Sequence, residues 1–260
     1  EIYGASEGNA LFTNLLNKDK TIGMTNADVA LIEYDVAEDE ILKGDDGFCK
    51  KILTHDPGLL VVRIGPDAVF NGYTDAQATE KKILRNVFED GDAWFNTGDL
   101  IKTVDVGYAL GKTHYQFVDR IGDTFRWKSE NVTTNEVGEI LNGFKDVNMS
   151  NVYGVQIPGC EGRAGMAAFS LDDAESFDWQ AFSDYVENSL PKYARPLFIR
   201  IIQEMDTTGT FKLKKNDLRN EAFDITKVAD PIYCLKPNSS NYVALDNEWL
   251  QTINSEQAGY

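Results

Sequence analysis

Residues 59–64 (LLVVRI) constrain the fold of this chain more than any other stretch. A run that is apolar at all but one position has no polar face to turn to water. It predicts a strand buried on both sides of its sheet. The chain has 260 residues, 42% of them hydrophobic, which is enough for a well-buried core and for one or two domains. At 26% charged residues it is not a disordered acidic tail. The net charge of -17 argues against broad electrostatic binding to nucleic acid or anionic lipid. An anionic ligand must therefore be met by local Lys and Arg or by a metal ion. Cys49, Cys160 and Cys234 are far apart, odd in number and form no CxxC, so neither a zinc site nor a disulfide framework is suggested, and a reducing compartment fits best. No apolar run approaches the length of a membrane span, and no signal peptide is visible. The chain opens at Glu1, inside what reads as a motif, and is expected to be a fragment whose parent carries any targeting signal.

Around the apolar run, residues 29–36 alternate loosely and are rich in β-formers, as a strand does. Residues 75–88 predict a helix capped by Asp75, with Ile83, Leu84, Val87 and Phe88 as its apolar stripe. Residues 107–118 predict a hairpin turning near Gly111 and Lys112. After Arg120 the pattern changes. Thr133-x-x-Glu136 has the form of a capping box, with Val137, Ile140 and Leu141 behind it. Residues 152–157, 166–171 and 197–202 read as strands, and 178–190 as a helix carrying Phe182, Tyr185, Val186 and Leu190, stopped by Pro191. The polar terminal stretch 238–260 is expected to pack on this second part. No repeat and no low-complexity segment is present. The expected fold class is mixed α/β: a β-rich part over 1–119, then a small α+β domain over 120–260. Their boundary is expected within 119–123, where Gly122 can absorb a large backbone rotation.

Four segments carry candidate chemistry. In 3–9 (YGASEGN) small residues let backbone approach a nucleotide, with a ring to stack and a carboxylate for Mg²⁺. Alone, the segment reads first as an ordinary Gly-rich turn beside a core tyrosine. In 92–100 (DAWFNTGDL) the Asp after a Gly turn suits two ribose hydroxyls, or simply caps the turn. In 119–128 (DRIGDTFRWK) Arg120, Arg126 and Lys128 gather cations in an acidic chain. Arg126 and Lys128 are spaced to share a strand face, for phosphate or for water. In 207–215 (TTGTFKLKK) a glycine loop delivers a Lys that could meet developing negative charge, or merely opens a basic helix.

In this order the segments resemble the adenylate-forming superfamily of acyl-CoA synthetases, luciferases and peptide-synthetase adenylation domains. The resemblance rests on YGASEGN at 3–9, GYTDAQAT at 72–79, GDAWFNTGDL at 91–100, DRIGDTFRWKSENVTTNEV at 119–137, YARP at 193–196 and TGTFKLKK at 208–215. GDTFRWKSENV and TGTFK point within it to the very-long-chain acyl-CoA synthetase and fatty acid transport protein branch.

The resemblance implies an enzyme that makes an acyl-adenylate from a fatty acid and ATP and then hands the acyl group to CoA. Residues 1–119 would be the end of the large adenylation domain, and 120–260 the mobile lid. Tyr3, with Gly4 and Ser6, would hold the adenine. Glu7 would ligate Mg²⁺, and Asp99 would bind the ribose beside Arg120. Lys212 would bridge the substrate carboxylate and α-phosphate, Gly122 would be the hinge, and Ser129, Arg126 and Lys128 would line the CoA channel. Two departures stand out: Gly122 where many relatives carry Asp or Lys, and Ser129 where relatives often carry Gly. The family's phosphate-binding loop is expected upstream of Glu1, so the fragment alone is expected to be inactive. The resemblance also implies membrane association through upstream residues, at endoplasmic reticulum, peroxisome or lipid droplet. Two other readings stay open: a fatty acid uptake protein with coupled ligase activity, and a luciferase-like or carrier-loading enzyme.

Overall fold

The computed structural model describes residues 2–4, 10–36, 38–65, 70, 72, 75–203 and 215–260. The chain divides into two units, Glu1–Gly122 and Asp123–Tyr260. The division falls after Gly122 rather than after Asp119.

In the first unit the apolar run forms the Gly58–Arg63 strand, the second member of a five-stranded antiparallel sheet. It pairs with Val29–Ile32 on one side and with the long Ala93–Val104 strand on the other. Its side chains alternate between two cores. Leu60 and Val62 join Phe12, Leu31, Phe95 and Ile101 on one face, while Leu59 and Val61 join Ile32, Val87 and Trp94 on the other. Both faces of this strand are thus dry, and each such side chain stabilises the unit by about 1.5–3 kcal/mol. The far edge of Ala93–Val104 is shared: Ile83–Arg85 pairs its first part and His114–Arg120 its second.

Three expected features take other forms here. The helix expected over 75–88 ends at Lys81, although Asp75 caps it through the Gln77 and Ala78 amides. Ile83 and Leu84 belong to the Ile83–Arg85 strand, because the sheet edge offers them backbone partners as well as apolar cover. The hairpin expected over 107–118 draws its first arm from Ala93–Val104, and its loop carries Leu110 and Gly111 at positive φ. The strand expected over 29–36 breaks at Glu33 into Val29–Ile32 and Tyr34–Asp35.

The second unit is a five-stranded sheet in the order Val147–Val155, Ala164–Leu171, Phe198–Ile201, Ile232–Leu235, Tyr242–Ala244. Its only parallel pair is Ala164–Leu171 with Phe198–Ile201, joined through the Trp179–Ser189 helix. Asp178 caps that helix through the Ala181 amide, and Phe182 and Val186 enter the core. The Thr134–Asn142 helix starts at Thr133 without a capping box. Thr133 Oγ1 donates to Glu136 Oε2 (3.1 Å) instead of either side chain reaching backbone. The terminal stretch does pack on this unit, as the Tyr242–Ala244 strand and the Asn247–Asn254 helix, with Leu250 and Ile253 in the core.

A short hairpin, Phe125–Trp127 with Glu130–Val132, opens the unit. Phe125 lies over Gly154 and Gly165, which face each other across the sheet, and a Cβ on Gly154 would sit 2.8 Å from that ring. The Arg163 amide donates to the Arg126 carbonyl at 2.7 Å and fixes the other side of the hairpin.

Candidate active site

The Thr97–Gly98–Asp99 segment is extruded from its strand. Asn96 pairs with Val61 and Leu100 with Leu59, so the long strand holds two more residues than its partner between the same rungs. Side chains replace the lost ladder. Thr97 Oγ1 donates to the Leu60 carbonyl (2.9 Å) and accepts from the Asp99 amide (3.1 Å), while Asn96 Oδ1 accepts from the Gly98 amide (2.9 Å). Gly98 takes φ +79, a conformation L side chains rarely adopt. Lys82 fills the gap where the strand edge changes partner, its Nζ 3.5 Å from the Thr97 carbonyl.

The bulge presents the Asp99 carboxylate, itself buried, to two partners. Arg120 is its neighbour across the sheet, with Nε 3.4 Å from Oδ1. The Tyr3 hydroxyl donates to Oδ2 at 2.5 Å. Tyr3 is placed by the Ile2–Gly4/Leu11–Thr13 hairpin, where it pairs with the core residue Phe12 and stands edge-on to it, ring centroids 5.4 Å apart. Burial, then the charge of Asp99, pushes the Tyr3 phenol far above its ordinary pKa, so it stays a neutral donor. An ionised carboxylate with an aromatic wall and a guanidinium beside it can accept hydroxyl hydrogen bonds while the ring supports a flat base.

Three of the expected residues, Tyr3, Asp99 and Arg120, are therefore brought together within the first unit. Gly4 is in the same hairpin. Ser6, Glu7 and Lys212 lie outside the described residues. Among the described residues no group of three His, Cys, Asp or Glu could hold a metal by itself.

The residues expected to line the CoA channel sit on the second unit's opening hairpin. Arg126 is exposed, and its neighbours Phe125 and Trp127 point inward. Lys128 does not share its strand face. Lys128 and Ser129 are the two loop residues, at φ +53 and +67, the signature of a type I′ turn. The Lys128 ammonium lies 5.2 Å from the Trp127 ring centroid. Gly122 has φ +83, and an added Cβ there would meet nothing within 4 Å, so the glycine serves backbone angle and not packing.

Thr97, Asp123 and Lys215 lie inside the quoted motifs and Lys82 outside them; only the bulge and the Lys215–Asp123 ion pair single them out. Asp92 opens one of those motifs but is structural. Its carboxylate accepts from the Val87, Phe88 and Glu89 amides and from Trp94 Nε1, closing the loop before the long strand.

No protein-family model matches the chain. It is 43% identical, over 97% of its length, to the medium/long-chain-fatty-acid–CoA ligase FadD6 of Mycobacterium tuberculosis, and spans 41% of that protein. It is 41% identical over 99% of its length to the long-chain fatty acid transport protein 6 of Mus musculus, spanning 42% of it. Among solved structures, ATP-bound MatB from Rhodopseudomonas palustris matches 86% of this chain and 41% of its own, at TM-score 0.63 and 23% identity. The AMP complex of O-succinylbenzoate coenzyme A synthetase from Bacillus subtilis matches 86% and 40%, at TM-score 0.61 and 19% identity. At these identities the two structures speak to the fold alone, which is that of the carboxy-terminal region of adenylate-forming enzymes. Sequence and fold together liken this chain to the fatty-acid–CoA ligases and long-chain fatty acid transport proteins, of whose length it spans about two fifths.

Proposed function

We propose that the chain is the carboxy-terminal part of an ATP-dependent ligase that converts long- or very-long-chain fatty acids to acyl-CoA. The observation that carries this reading is the Tyr3–Asp99–Arg120 cluster on a side-chain-built bulge, in a chain 43% identical to a fatty-acid–CoA ligase.

In the first half-reaction a carboxylate oxygen attacks the α-phosphorus of ATP. The bond from that phosphorus to its bridging oxygen breaks, and pyrophosphate leaves. Two anions must meet, so the barrier is largely electrostatic. Asp99 accepts the ribose hydroxyls beside the Arg120 guanidinium, while Tyr3 flanks the base. Lys212 supplies the cation between the carboxylate and the α-phosphate. Bound Mg²⁺, held by Glu7, would supply further neutralisation of phosphate charge. In the second half-reaction the CoA thiol sulfur attacks the acyl carbon. The carbon–oxygen bond to AMP breaks and the thiol proton is released. Rotation about Gly122 removes Lys212 and brings up the hairpin of Arg126, Lys128 and Ser129, which lines the CoA path.

The similarity to long-chain fatty acid transport proteins supports a second activity, fatty acid uptake coupled to ligation. Membrane association is proposed on that family basis, through residues outside this chain. Among the described residues no helix is long and apolar enough to cross a membrane.

The test is acyl-CoA formation by the full-length protein and its Lys212→Ala variant across a series of fatty acid lengths. We expect synthesis to collapse in the variant, and the length series to name the substrate. Absence of synthesis for every acid would sink the ligase reading. Uptake that survives Lys212→Ala would make transport an independent activity.

A further inference from the structure

Both oxygens of the Asp99 carboxylate are already covered. Arg120 Nε faces Oδ1, and the Tyr3 hydroxyl donates to Oδ2. Only 11% of the Asp99 side chain is exposed, so little of the carboxylate is open to a ligand. The 2.5 Å contact to Tyr3 is in the short range of a hydroxyl bonded to an anion, which is the strong kind of hydrogen bond. A pair of neighbouring ribose hydroxyls needs the same two oxygens. One cover therefore has to give way before a ribose binds.

The two covers are not equal. Moving the guanidinium away would strip the counter-charge from a buried carboxylate, which is strongly unfavourable. Moving the phenol away replaces one neutral hydroxyl by another on the same anion, a nearly neutral exchange. The placement of Tyr3 also permits it. Its hairpin, Ile2–Gly4 with Leu11–Thr13, is a two-stranded sheet of its own, outside the five-stranded one. Two short strands alone hold their geometry only weakly. The ring packs on Phe12 and on Phe117, with centroids 5.4 and 6.4 Å apart, and this packing holds the ring and not the hydroxyl. In an empty site without the phenol, the buried Oδ2 would lose that donor, and leaving a buried anion short of a hydrogen bond is unfavourable.

We infer that the Tyr3 hydroxyl stands in for a ribose hydroxyl: it occupies Asp99 Oδ2 while the site is empty and yields that oxygen to the nucleotide. The inference rests on the ribose role proposed for Asp99. It gives Tyr3 two opposed effects. The ring supports the base, while the hydroxyl weakens binding of any nucleotide that has to displace it. A hydroxyl that merely fixed the shape of the site would instead strengthen binding of every nucleotide.

The experiment uses the full-length protein with Tyr3→Phe, Asp99→Ala and the double variant. Calorimetry gives Kd for ATP, 2′-deoxy-ATP and 3′-deoxy-ATP in the absence of fatty acid. Tyr3→Phe keeps the ring and its packing and removes only the donor. We expect it to bind ATP about tenfold more tightly, the value of one hydrogen bond to a charged acceptor. The deoxy analogue that still carries the hydroxyl for Oδ2 should gain as ATP does. The other analogue should gain nothing, because without that hydroxyl the phenol never leaves Oδ2 in the wild type. In the Asp99→Ala background Tyr3→Phe should change none of the three values, since both act through one contact. Tyr3→Phe that weakens all three nucleotides, strengthens all three equally or leaves all three unchanged overturns the inference while leaving the ribose role of Asp99 standing. An ATP Kd that Asp99→Ala does not change removes the ribose role itself, and the inference falls with it.

Discussion

At the scale of single residues, chemistry and architecture share the same short motifs. Asp92 and Asp99 are seven positions apart in GDAWFNTGDL, yet one closes a loop and the other faces Tyr3 and Arg120. Motif spacing alone does not separate them; partners do. Asp92 is met by four N–H donors, which build a socket for an anion and nothing else. Burial opposes its ionisation, but the hydrogen bonds from Phe88, Trp94, Val87 and Glu89 outweigh it and hold the carboxyl below the usual range. Asp92→Asn turns an amide group toward some of those donors, and should cost about 1–3 kcal/mol at neutral pH. Because the folded pKa is depressed, this stabilisation is complete above the unfolded value of about 3.9 and fades as pH falls through the lower folded value. Denaturant unfolding of both proteins at pH 7 and near pH 3 checks it: the gap should narrow in acid. A gap that does not change would assign the effect to shape and not to charge.

At the scale of elements, patterns that report burial were read directly, and patterns that report backbone pairing were not. The 59–64 run and the 178–190 stripe are a strand buried on both faces and a core helix, because continuous or 3.6-spaced apolar residues leave one way to hide them. Residues 75–88 were misread because Ile83 and Leu84 satisfy a helical stripe and a sheet edge equally, and the long strand decides the matter from outside the segment. The Thr133 box failed for a similar reason: its two side chains bond each other. The Tyr3, Asp99 and Arg120 cluster was legible only through the resemblance, since the bulge that gathers it depends on Thr97 and Asn96 hydrogen bonds that leave no periodic trace. The Lys128–Ser129 loop gives an element-scale prediction. A type I′ turn favours Gly at its second central position, where Ser129 holds φ +67. Ser129→Gly should stabilise the hairpin by about 0.5–1 kcal/mol, net of the freedom glycine adds to the unfolded chain. Calorimetry of the full-length protein should therefore record a rise of about 1–4 °C in the transition of this unit. A fall would mean that the serine hydroxyl holds the turn.

For the whole molecule, a net charge of -17 and the proposed handling of ATP and CoA are reconciled by placement. Cations are concentrated where anions are expected: Arg120 beside Asp99, then Arg126 and Lys128 on the opening hairpin. Lys215 and Arg219 are spent on Asp123, and Arg200 on Glu221 and Asp230, so these three serve the frame. Each unit has its own core; the residues proposed to bind the nucleotide, Tyr3, Asp99 and Arg120, lie in the first, and those proposed for the CoA path lie in the second. The most direct test of the central claim is fatty-acid-dependent ATP–pyrophosphate exchange, measured against ATP concentration in the full-length protein and its Asp99→Ala variant. The account predicts exchange that requires a fatty acid, with KM for ATP about tenfold or more higher in the variant, the value of hydrogen bonds to a charged acceptor. No exchange with any fatty acid, or an unchanged KM for ATP in Asp99→Ala, would contradict it.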